Sequence, residues 1–254
     1  MSDRRWTISG KRIILPLIVL SLIAHPALAQ SMSLNLGDTG ATNSSAARLI
    51  QLVVLMTVIS LAPSILIMTT SFMRIVIVLS FLRSALGLQQ TPPNQVLISL
   101  ALFLTMFIMA PVFEQAYDDG FKPMAEDSIT QEQGLERLAA PFHAFMITHV
   151  RPKDLKLFVD MSPNVKIAAP EDTPFRILIP AFIISELKRS FEIGFLIFIP
   201  FVIIDMLVAS ILMAMGMMML PPVMISLPFK LIFFVLVDGW YMVCGSLIKS
   251  FGTV

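Results

Sequence analysis

The sequence predicts an all-α, membrane-associated protein made of two kinked helical hairpins and a small helical domain between them. Three observations lead to this fold class. Hydrophobic residues make up 56% of the 254 residues, and charged residues only 14%. Two long apolar blocks are each interrupted by a Pro-Pro pair, and a polar, acid-rich segment separates the blocks. Such a composition excludes an ordinary soluble domain.

The charge and cysteine counts narrow the range of functions. A formal net charge of +1 gives no electrostatic basis for binding nucleic acid. Cys244 is the single cysteine, so an intrachain disulfide is impossible.

The first 29 residues have the order of segments that is typical of a secretory signal peptide. Four basic residues precede the short apolar run Ile13–Ile23, and Ala27–Ala29 has the A-x-A form of a cleavage site. We therefore expect cleavage between Ala29 and Gln30; the alternative is an uncleaved first helix. Residues 30–45 are polar and predict a flexible tail outside the cytoplasm.

Residues 46–113 predict the first hairpin. The run Leu49–Met73 carries no charged residue and is long enough to cross a bilayer. Pro92 and Pro93 predict a turn, because proline lacks the N–H of a helix interior and clashes with the preceding turn. The uncharged run Gln95–Phe113 predicts the returning helix.

Residues 114–174 predict a small ordered helical domain. Ser128 and Gln131 have the spacing of a capping box, which opens a helix that runs toward His149 and bends at Pro141. A second short helix is expected over Asp154–Met161. Thr173 and Pro174 are expected as the N-cap and the first residue of the next long helix.

Residues 175–254 predict the second hairpin, whose turn contains Pro221 and Pro222. Three methionines, Met217, Met218 and Met219, precede these prolines at the tip. Methionine side chains are flexible and polarizable, so they re-pack around whatever they touch. Three in a row on a turn cannot all face one core, which favours a functional surface; the alternative is that they fill gaps in a bundle. Prolines inside the apolar stretches of both hairpins predict kinks, at Pro63, Pro180, Pro200 and Pro228.

Charged residues interrupt the second hairpin, and each would cost about 2.5–3.5 kcal/mol near the centre of a lipid-exposed helix. Helical spacing pairs Lys188 with Glu192 and Glu186 with Arg189. Asp205, Lys230 and Asp238 have no partner at that spacing. We therefore expect these helices to face protein and the charges to support assembly; the alternative is that the charges snorkel at the membrane edges. The predicted assembly charges are Glu186, Lys188, Arg189, Asp205, Lys230 and Asp238. Counted outward from the Pro-Pro turn, Asp205 and Asp238 are expected at equal depth, with Lys230 about two turns closer to the tip.

Charge also bears on orientation. Arg74 and Arg83 are assigned to the loop region of the first hairpin, which favours the cytoplasmic side for that loop. The signal peptide places the tail and the middle domain on the opposite side. Both arguments direct the Pro-Pro tips toward the cytoplasm.

Residue patterns that carry chemistry are missing from the sequence. It has neither G-x-x-x-x-G-K-[ST] nor G-x-G-x-x-G, and no serine in a G-x-S-x-G elbow. His143 and His149 have no carboxylate or cysteine at metal-ligand spacing, so packing is the expected role of both. We expect no catalytic residue, no metal site and no cofactor, and thus passage or assembly rather than catalysis.

Several long stretches strongly resemble one family, the FliP family of bacterial flagellar export proteins, and are similar to its counterparts in virulence type III secretion. The match covers about residues 46–250. In the first hairpin it lies in Thr70–Ser80 and Arg83–Gln95, where Met73 stands in place of the threonine expected in many members. In the second hairpin it lies in Pro180–Asp205, in the methionine turn, and in the stretches Leu227–Lys230 and Asp238–Trp240.

The resemblance implies a core subunit of the flagellar export gate in the bacterial inner membrane. Several copies, expected to be five, would coil with FliQ and FliR into a narrow conical channel, work with FlhA and FlhB, and pass unfolded substrates. Much of the hairpin assembly would be lifted out of the bilayer plane. Met217, Met218 and Met219 would correspond to a methionine gasket that closes around substrates.

Two other functions are compatible with the residues. An ion-coupled secondary transporter would use the charged residues at the midplane to bind an ion. A structural assembly scaffold would have the same helices but no residues lining a channel. The position of the methionine turn relative to an axial pore distinguishes these alternatives.

Overall fold

The structure is a computed structural model, and it describes residues 45–162, 169–217 and 219–252. The predicted signal peptide, its cleavage point between Ala29 and Gln30, the tail as far as residue 44, and Met218 lie outside the described residues. The chain divides into two compact units, Met1–Leu52 and Val53–Val254. All contacts given below lie within the second unit.

The described residues are helical and contain no strand. The main helices are α1 (Ser45–Met68), α2 (Phe72–Ala85), α3 (Asn94–Ala116), α4 (Gln131–His149), α5 (Pro152–Asp160), α6 (Phe175–Ala214), α7 (Pro222–Leu236) and α8 (Gly239–Lys249). A π-helical turn, Tyr117–Phe121, and a single α-turn, Lys122–Ala125, follow α3. The prediction of an all-α protein with long apolar helices is confirmed.

The first apolar run does not form one helix to Met73 as expected. α1 ends at Met68, and three buried hydroxyl residues, Thr69, Thr70 and Ser71, separate it from α2. The Thr69 hydroxyl donates to the Ile65 carbonyl and the Thr70 hydroxyl donates to the Ile67 carbonyl. Such side-chain bonds compete with the helical pattern, which explains a break that hydropathy does not show.

α2 lies at the centre of the fold and packs against α3 and α6. Its residues Ile75, Val78 and Leu79 have no exposed surface. The main core adds buried residues from α3, α4, α6 and α8, among them Ile108, Met109, Met146, Phe182 and Leu247. α2 is therefore a buried helix of the core, and the assignment of Arg74 and Arg83 to a loop is wrong. Both residues lie inside α2, and Arg74 is 1% exposed.

The helix starts of the middle domain differ in detail from the prediction. The capping box of α4 is formed by Thr130 and Gln133, two residues after the expected pair, because the Ser128 hydroxyl instead donates to the Pro123 carbonyl. α5 begins at Pro152 rather than Asp154. α6 has Pro174, not Thr173, as its N-cap residue. The hydroxyl of Thr173 donates to the Pro170 carbonyl and so closes the turn before the helix.

Three helices are long and apolar enough to cross a membrane. They are Ile50–Met68 in α1, Asn94–Ala125 and Phe175–Ala214. The second of these consists of α3 together with the π-helical turn and the α-turn that follow it. α7 and α8 pass the same criterion together, but a bend of 62° separates them. The described residues thus offer three candidate spans, or four if the bent pair counts as one.

Candidate functional site

The methionine turn follows a helix end that the sequence defines closely. Gly216 has φ +73°, a left-handed conformation that favours glycine. Its N–H donates to the Met213 carbonyl, and the Met217 N–H donates to the Leu212 carbonyl over 2.9 Å. These two bonds form a Schellman motif, which satisfies the last carbonyls of α6. The chain therefore leaves the helix at a fixed point, directly before the methionines.

The other side of the turn is fixed by the prolines. Pro221 is the N-cap residue of α7 and Pro222 is its first residue, a position where the missing N–H of proline costs no hydrogen bond. Between the two helix ends, Met219 is 99% exposed and Met217 is 44% exposed. The turn thus presents thioether side chains outward from a rigid base. Met218, the remaining methionine of the predicted gasket, lies outside the described residues.

The turn between α2 and α3 repeats the Schellman ending of the methionine turn. Gly87 has φ +78°, its N–H donates to the Ser84 carbonyl, and the Leu88 N–H donates to the Arg83 carbonyl. Five residues after Gly87 come Pro92 and Pro93, and the same spacing separates Gly216 from its Pro-Pro pair. Both turns share the pattern Ala-x-Gly-x₄-Pro-Pro, so alignment on the prolines reveals a repeat of sequence as well as of architecture.

An ion pair joins the two helices beneath the methionine turn. Nζ of Lys230 donates to Oδ2 of Asp205 over 2.6 Å, and Oγ of Ser226 donates to Oδ1 of the same carboxylate over 2.5 Å. The ammonium also donates to the Ala85 carbonyl, at 3.3 Å, at the C-terminal end of α2. A cation is favoured at that end of a helix. Lys230 thereby connects α7 to both α6 and α2.

The expected depths of these charges are wrong. Asp205 was expected level with Asp238, but it pairs with Lys230. The reason is that the turn also includes the residues before the two prolines, because α6 ends at Ala214 and α7 begins at Pro222. Counting from the prolines therefore adds these turn residues to the depth of Asp205. Measured from those helix ends, Asp205 and Lys230 are nine and eight residues deep. Counting from the helix ends would have predicted the pair.

A second ion pair lies fully inside the core. Arg74 donates to both carboxylate oxygens of Glu186, over 2.7 Å from Nε and 2.5 Å from Nη2, and neither side chain is more than 1% exposed. Glu186 was expected to pair with Arg189, but Arg74 lies 112 positions earlier. A planar guanidinium bonded twice to one carboxylate is the strongest geometry for such a pair. Burial without this partner would be costly.

Arg74 also holds the C-terminal end of the described chain. Its Nη1 donates to the carbonyl and the hydroxyl of Ser250, at 3.1 and 2.9 Å. Its guanidinium carbon lies 3.7 Å from the centre of the Phe251 ring, a cation–π distance. The Phe251 ring in turn contacts Phe145 and His149 of α4. Arg74 therefore ties α2, α6, the end of α8 and the middle domain together.

The middle domain is attached to α6 next to Glu186. Asp154 pairs with Arg151 at 2.8 Å and accepts a hydrogen bond of 2.7 Å from Ser185, while Ser185 Oγ accepts from the Arg151 N–H. The hydrogen bond from Arg151 holds the pKa of the Asp154 carboxyl below its ordinary value; burial opposes this, and the Ser185 bond adds to it. The same contact raises the pKa of Arg151. Asp154 is therefore held as a carboxylate at this junction.

The remaining candidate residues form local contacts, and His149 also reaches the Arg74 network through Phe251. Lys188 and Glu192 form the expected i,i+4 pair at 3.0 Å, on an exposed face. His143 contacts the Thr173 carbonyl at 2.6 Å, and His149 contacts the Phe145 carbonyl at 2.8 Å. Within the described parts of the chain, no three His, Cys, Asp or Glu side chains are placed to hold a metal ion.

An apolar groove adjoins the methionine turn. It lies between α6 and α7, extends from the level of the Asp205–Lys230 pair toward the tip, and has a volume of about 440 Å³. Its lining is Ile204, Leu207, Val208, Ile211, Leu212, Ile225, Phe229 and Phe233. Without a polar side chain, this groove suits another apolar helix or lipid and not a small polar solute.

Comparison with known proteins shows the family. The FliP family model matches residues 55–247, more than half of the chain. The flagellar biosynthetic protein FliP of Caulobacter vibrioides is 58% identical over 241 residues, which cover 94% of this chain and 89% of that protein. The protein of the same name from Bacillus subtilis is 55% identical over 202 residues, which cover 80% of this chain and 91% of that protein. Because the family model and both relatives match most of its length, the chain belongs to the FliP family.

Proposed function

We propose that this chain is the core pore-forming subunit of the flagellar type III protein export gate, passing unfolded flagellar substrates through a channel closed by a methionine gasket. The observation that carries the proposal is the methionine turn. Its base is fixed by the Schellman motif at Gly216 and by the Pro-Pro pair, while Met219 is 99% exposed. A rigid base with soft, exposed side chains suits a seal that deforms around varied chains.

The surface of the single chain supports assembly with other subunits. Large apolar residues are exposed along α3, α6, α7 and α8, for example Phe103, Phe195 and Leu236. α6 has 40 residues, or roughly 60 Å, about twice the thickness of a hydrocarbon core. Part of its apolar surface therefore has to be covered by protein. The proposed partners are further copies of the chain, expected to be five in all, with FliQ and FliR, and FlhA and FlhB beside the gate.

The proposed location is the bacterial inner membrane at the flagellar basal body, with the middle domain in the periplasm. Family membership and the candidate spans support a membrane location. From residue 126 onward the middle domain lies between two candidate spans, and it is fastened to α6 by polar contacts around Asp154. Such contacts suit an aqueous side of the membrane.

The two other functions fit the geometry less well. An ion-coupled transporter needs free charged groups in a polar pocket. Here Arg74 is bonded to Glu186, Lys230 is bonded to Asp205, and the groove between α6 and α7 is apolar. A scaffold without a channel does not account for the exposed thioether side chains on a rigid turn.

The proposal is tested with an export substrate that is stalled by a folded domain at its C-terminal end. A photo-crosslinking amino acid replaces Met219 in one strain and Met106, an equally unbranched exposed residue of α3, in the other. We expect cross-links from position 219 to the stalled substrate and none from position 106. Electron microscopy of the purified complex should place the methionine turns around the axis. A substrate that cross-links at neither position, in a strain that exports normally, contradicts the channel role.

A further inference from the structure

Two of the six predicted assembly charges remain without a partner within the described residues, whereas the other four form ion pairs. The side chains of Asp238 and Arg189 form no hydrogen bond or ion pair within the described residues. Arg189 loses its expected partner because Glu186 is bonded to Arg74. The two residues are opposite in sign, and each belongs to a hairpin helix or to its end.

Asp238 is held in an unusual and fixed conformation. It forms the 62° bend between α7 and α8 with φ 50° and ψ 53°, a left-handed conformation that is uncommon for residues other than glycine. It precedes α8 as the N-cap residue, yet its carboxylate caps no backbone N–H. Gly239 packs beneath the Phe234 ring so closely that a Cβ atom would lie 2.1 Å from it. Position 239 therefore requires glycine, and in this conformation of the bend the Asp238 carboxylate has no internal partner.

The residues beside Asp238 form an exposed apolar surface. Val235, Leu236 and Tyr241 are 74%, 79% and 76% exposed. An apolar surface of this kind is covered in the assembled protein, by lipid or by another chain. A carboxylate covered along with it is costly unless a cation meets it. The occupant of this surface thus has to bring a positive charge on an apolar helix.

The axial positions explain why Arg189 of the same chain is not that cation. Asp205 and Lys230 are level with each other, and Asp238 lies eight residues beyond Lys230, or roughly 12 Å. Arg189 lies sixteen residues before Asp205, or roughly 24 Å. Within one chain the two charges are therefore separated by roughly 12 Å along the hairpin. A second copy that is displaced along the hairpin axis brings its Arg189 next to Asp238 of the first copy. The required displacement is the same distance minus the length of the arginine side chain.

We propose that Asp238 of one copy pairs with Arg189 of an adjacent copy. The inference rests on the proposed function, which requires several copies to assemble. Each copy offers Asp238 to one neighbour and Arg189 to the other, so the contact is heterologous and propagates around a ring or a spiral. The pair sets the axial displacement between neighbours, which the apolar surfaces alone leave free.

The test uses two differently tagged full-length chains, both with Cys244→Ala, expressed together with the rest of the export apparatus. One chain carries Asp238→Cys and the other Arg189→Cys. A disulfide needs Cα atoms within about 7 Å, so a bis-maleimide that spans an ion-pair distance is used on native membranes. We expect a cross-linked dimer with both tags. The matched control replaces Arg189→Cys by Lys188→Cys, the neighbouring exposed residue, and should give severalfold less dimer.

Charge exchange supplies a second measurement. Asp238→Arg or Arg189→Asp alone should lower the yield of oligomer on the order of tenfold or more, and the two together should restore it. If the oligomer forms but the control cross-links equally well, or the double exchange does not restore the yield, the pairing is wrong while the proposed function stands. A cross-link from position 238 to a different protein likewise overturns the second-copy partner. A chain that stays monomeric in every variant, including the wild type, contradicts the proposed function itself.

Discussion

Lys230 donates to Asp205 over 2.6 Å and at the same time to the Ala85 carbonyl over 3.3 Å, so one ammonium joins the methionine hairpin to the buried helix α2. The ammonium is buried, whereas the Asp205 side chain is 32% exposed. This difference decides what each substitution leaves behind. Removal of Lys230 strands a carboxylate that water still reaches, and removal of Asp205 strands a cation that water does not reach.

Lys230→Ala should therefore reduce the yield of assembled complex. Breaking a fully buried ion pair costs about 3–5 kcal/mol, and the partial exposure of Asp205 lowers the expected loss of stability to about 1–3 kcal/mol. Asp205→Ala should be the more harmful of the two. The measurement is the amount of purified complex per membrane protein, with Lys188→Ala as the control on an exposed pair. Lys230→Ala complexes that assemble normally yet lose export would contradict the assembly role.

Arg74→Lys should destabilise the fold although the charge is kept. Lysine cannot form two parallel bonds to Glu186 and also reach Ser250 and the Phe251 ring as the guanidinium does. We expect a lower melting temperature of the purified full-length chain and easier proteolysis at its C-terminal end. Arg74→Met with Glu186→Met should be less harmful than Arg74→Met alone, because the single change leaves a buried carboxylate without a partner. Equal melting temperatures for Arg74→Lys and wild type would show that the second bond and the ring contact add nothing.

Gly216→Ala tests whether the turn geometry is required. Gly216 has open space around it, so an added methyl group meets no atom and only the left-handed backbone is penalised, by about 1–2 kcal/mol. Gly245 lies inside α8, also with open space. Gly245→Ala should instead stabilise by roughly 0.5–1 kcal/mol, since alanine is the better helix former. Thermal unfolding of the two variants gives the signs, and a stabilising Gly216→Ala would contradict the Schellman ending of α6.

Acid should loosen the middle domain through Asp154. Its pKa is lowered chiefly by the hydrogen bond from Arg151, so the unfolded chain binds this proton more readily than the folded protein does. The stabilising contribution is complete above the ordinary pKa of an aspartate, about 3.9, and is lost as the pH falls through the lowered value. Asp154→Asn should flatten the fall of melting temperature between about pH 5 and about pH 2, and Ser185→Ala should have an intermediate effect. An unchanged slope in Asp154→Asn would remove this carboxylate from the acid response.

The sequence predicted the apolar helices because the hydropathy pattern is a local property of the chain. It did not predict the partner of Glu186, because Arg74 is 112 residues away and only the packing of α2 on α6 brings them together. The break at Thr69–Ser71 was missed for a related reason: hydroxyl bonds to helix carbonyls leave no mark on hydropathy. The Asp205–Lys230 pair could have been predicted from the sequence. Gly216 marks the end of α6, and counting from that end places Asp205 level with Lys230.

The methionine gasket leads to the last prediction, which concerns the triple variant Met217→Ala, Met218→Ala and Met219→Ala. If these side chains from neighbouring copies converge on a pore axis, they pack against one another when no substrate is present and leave no room for a file of water. Alanine removes several heavy atoms per copy and should widen the constriction. We expect ion or small-solute entry into cells with the triple variant, measured as membrane depolarisation, whereas export suffers less because a wider pore still passes an unfolded chain. The matched control is Met206→Ala, Met213→Ala and Met224→Ala, which removes three exposed methionines of the same hairpin outside the turn and should leave the membrane sealed. Unchanged permeability in a triple variant that demonstrably assembles would reduce the turn methionines to packing residues.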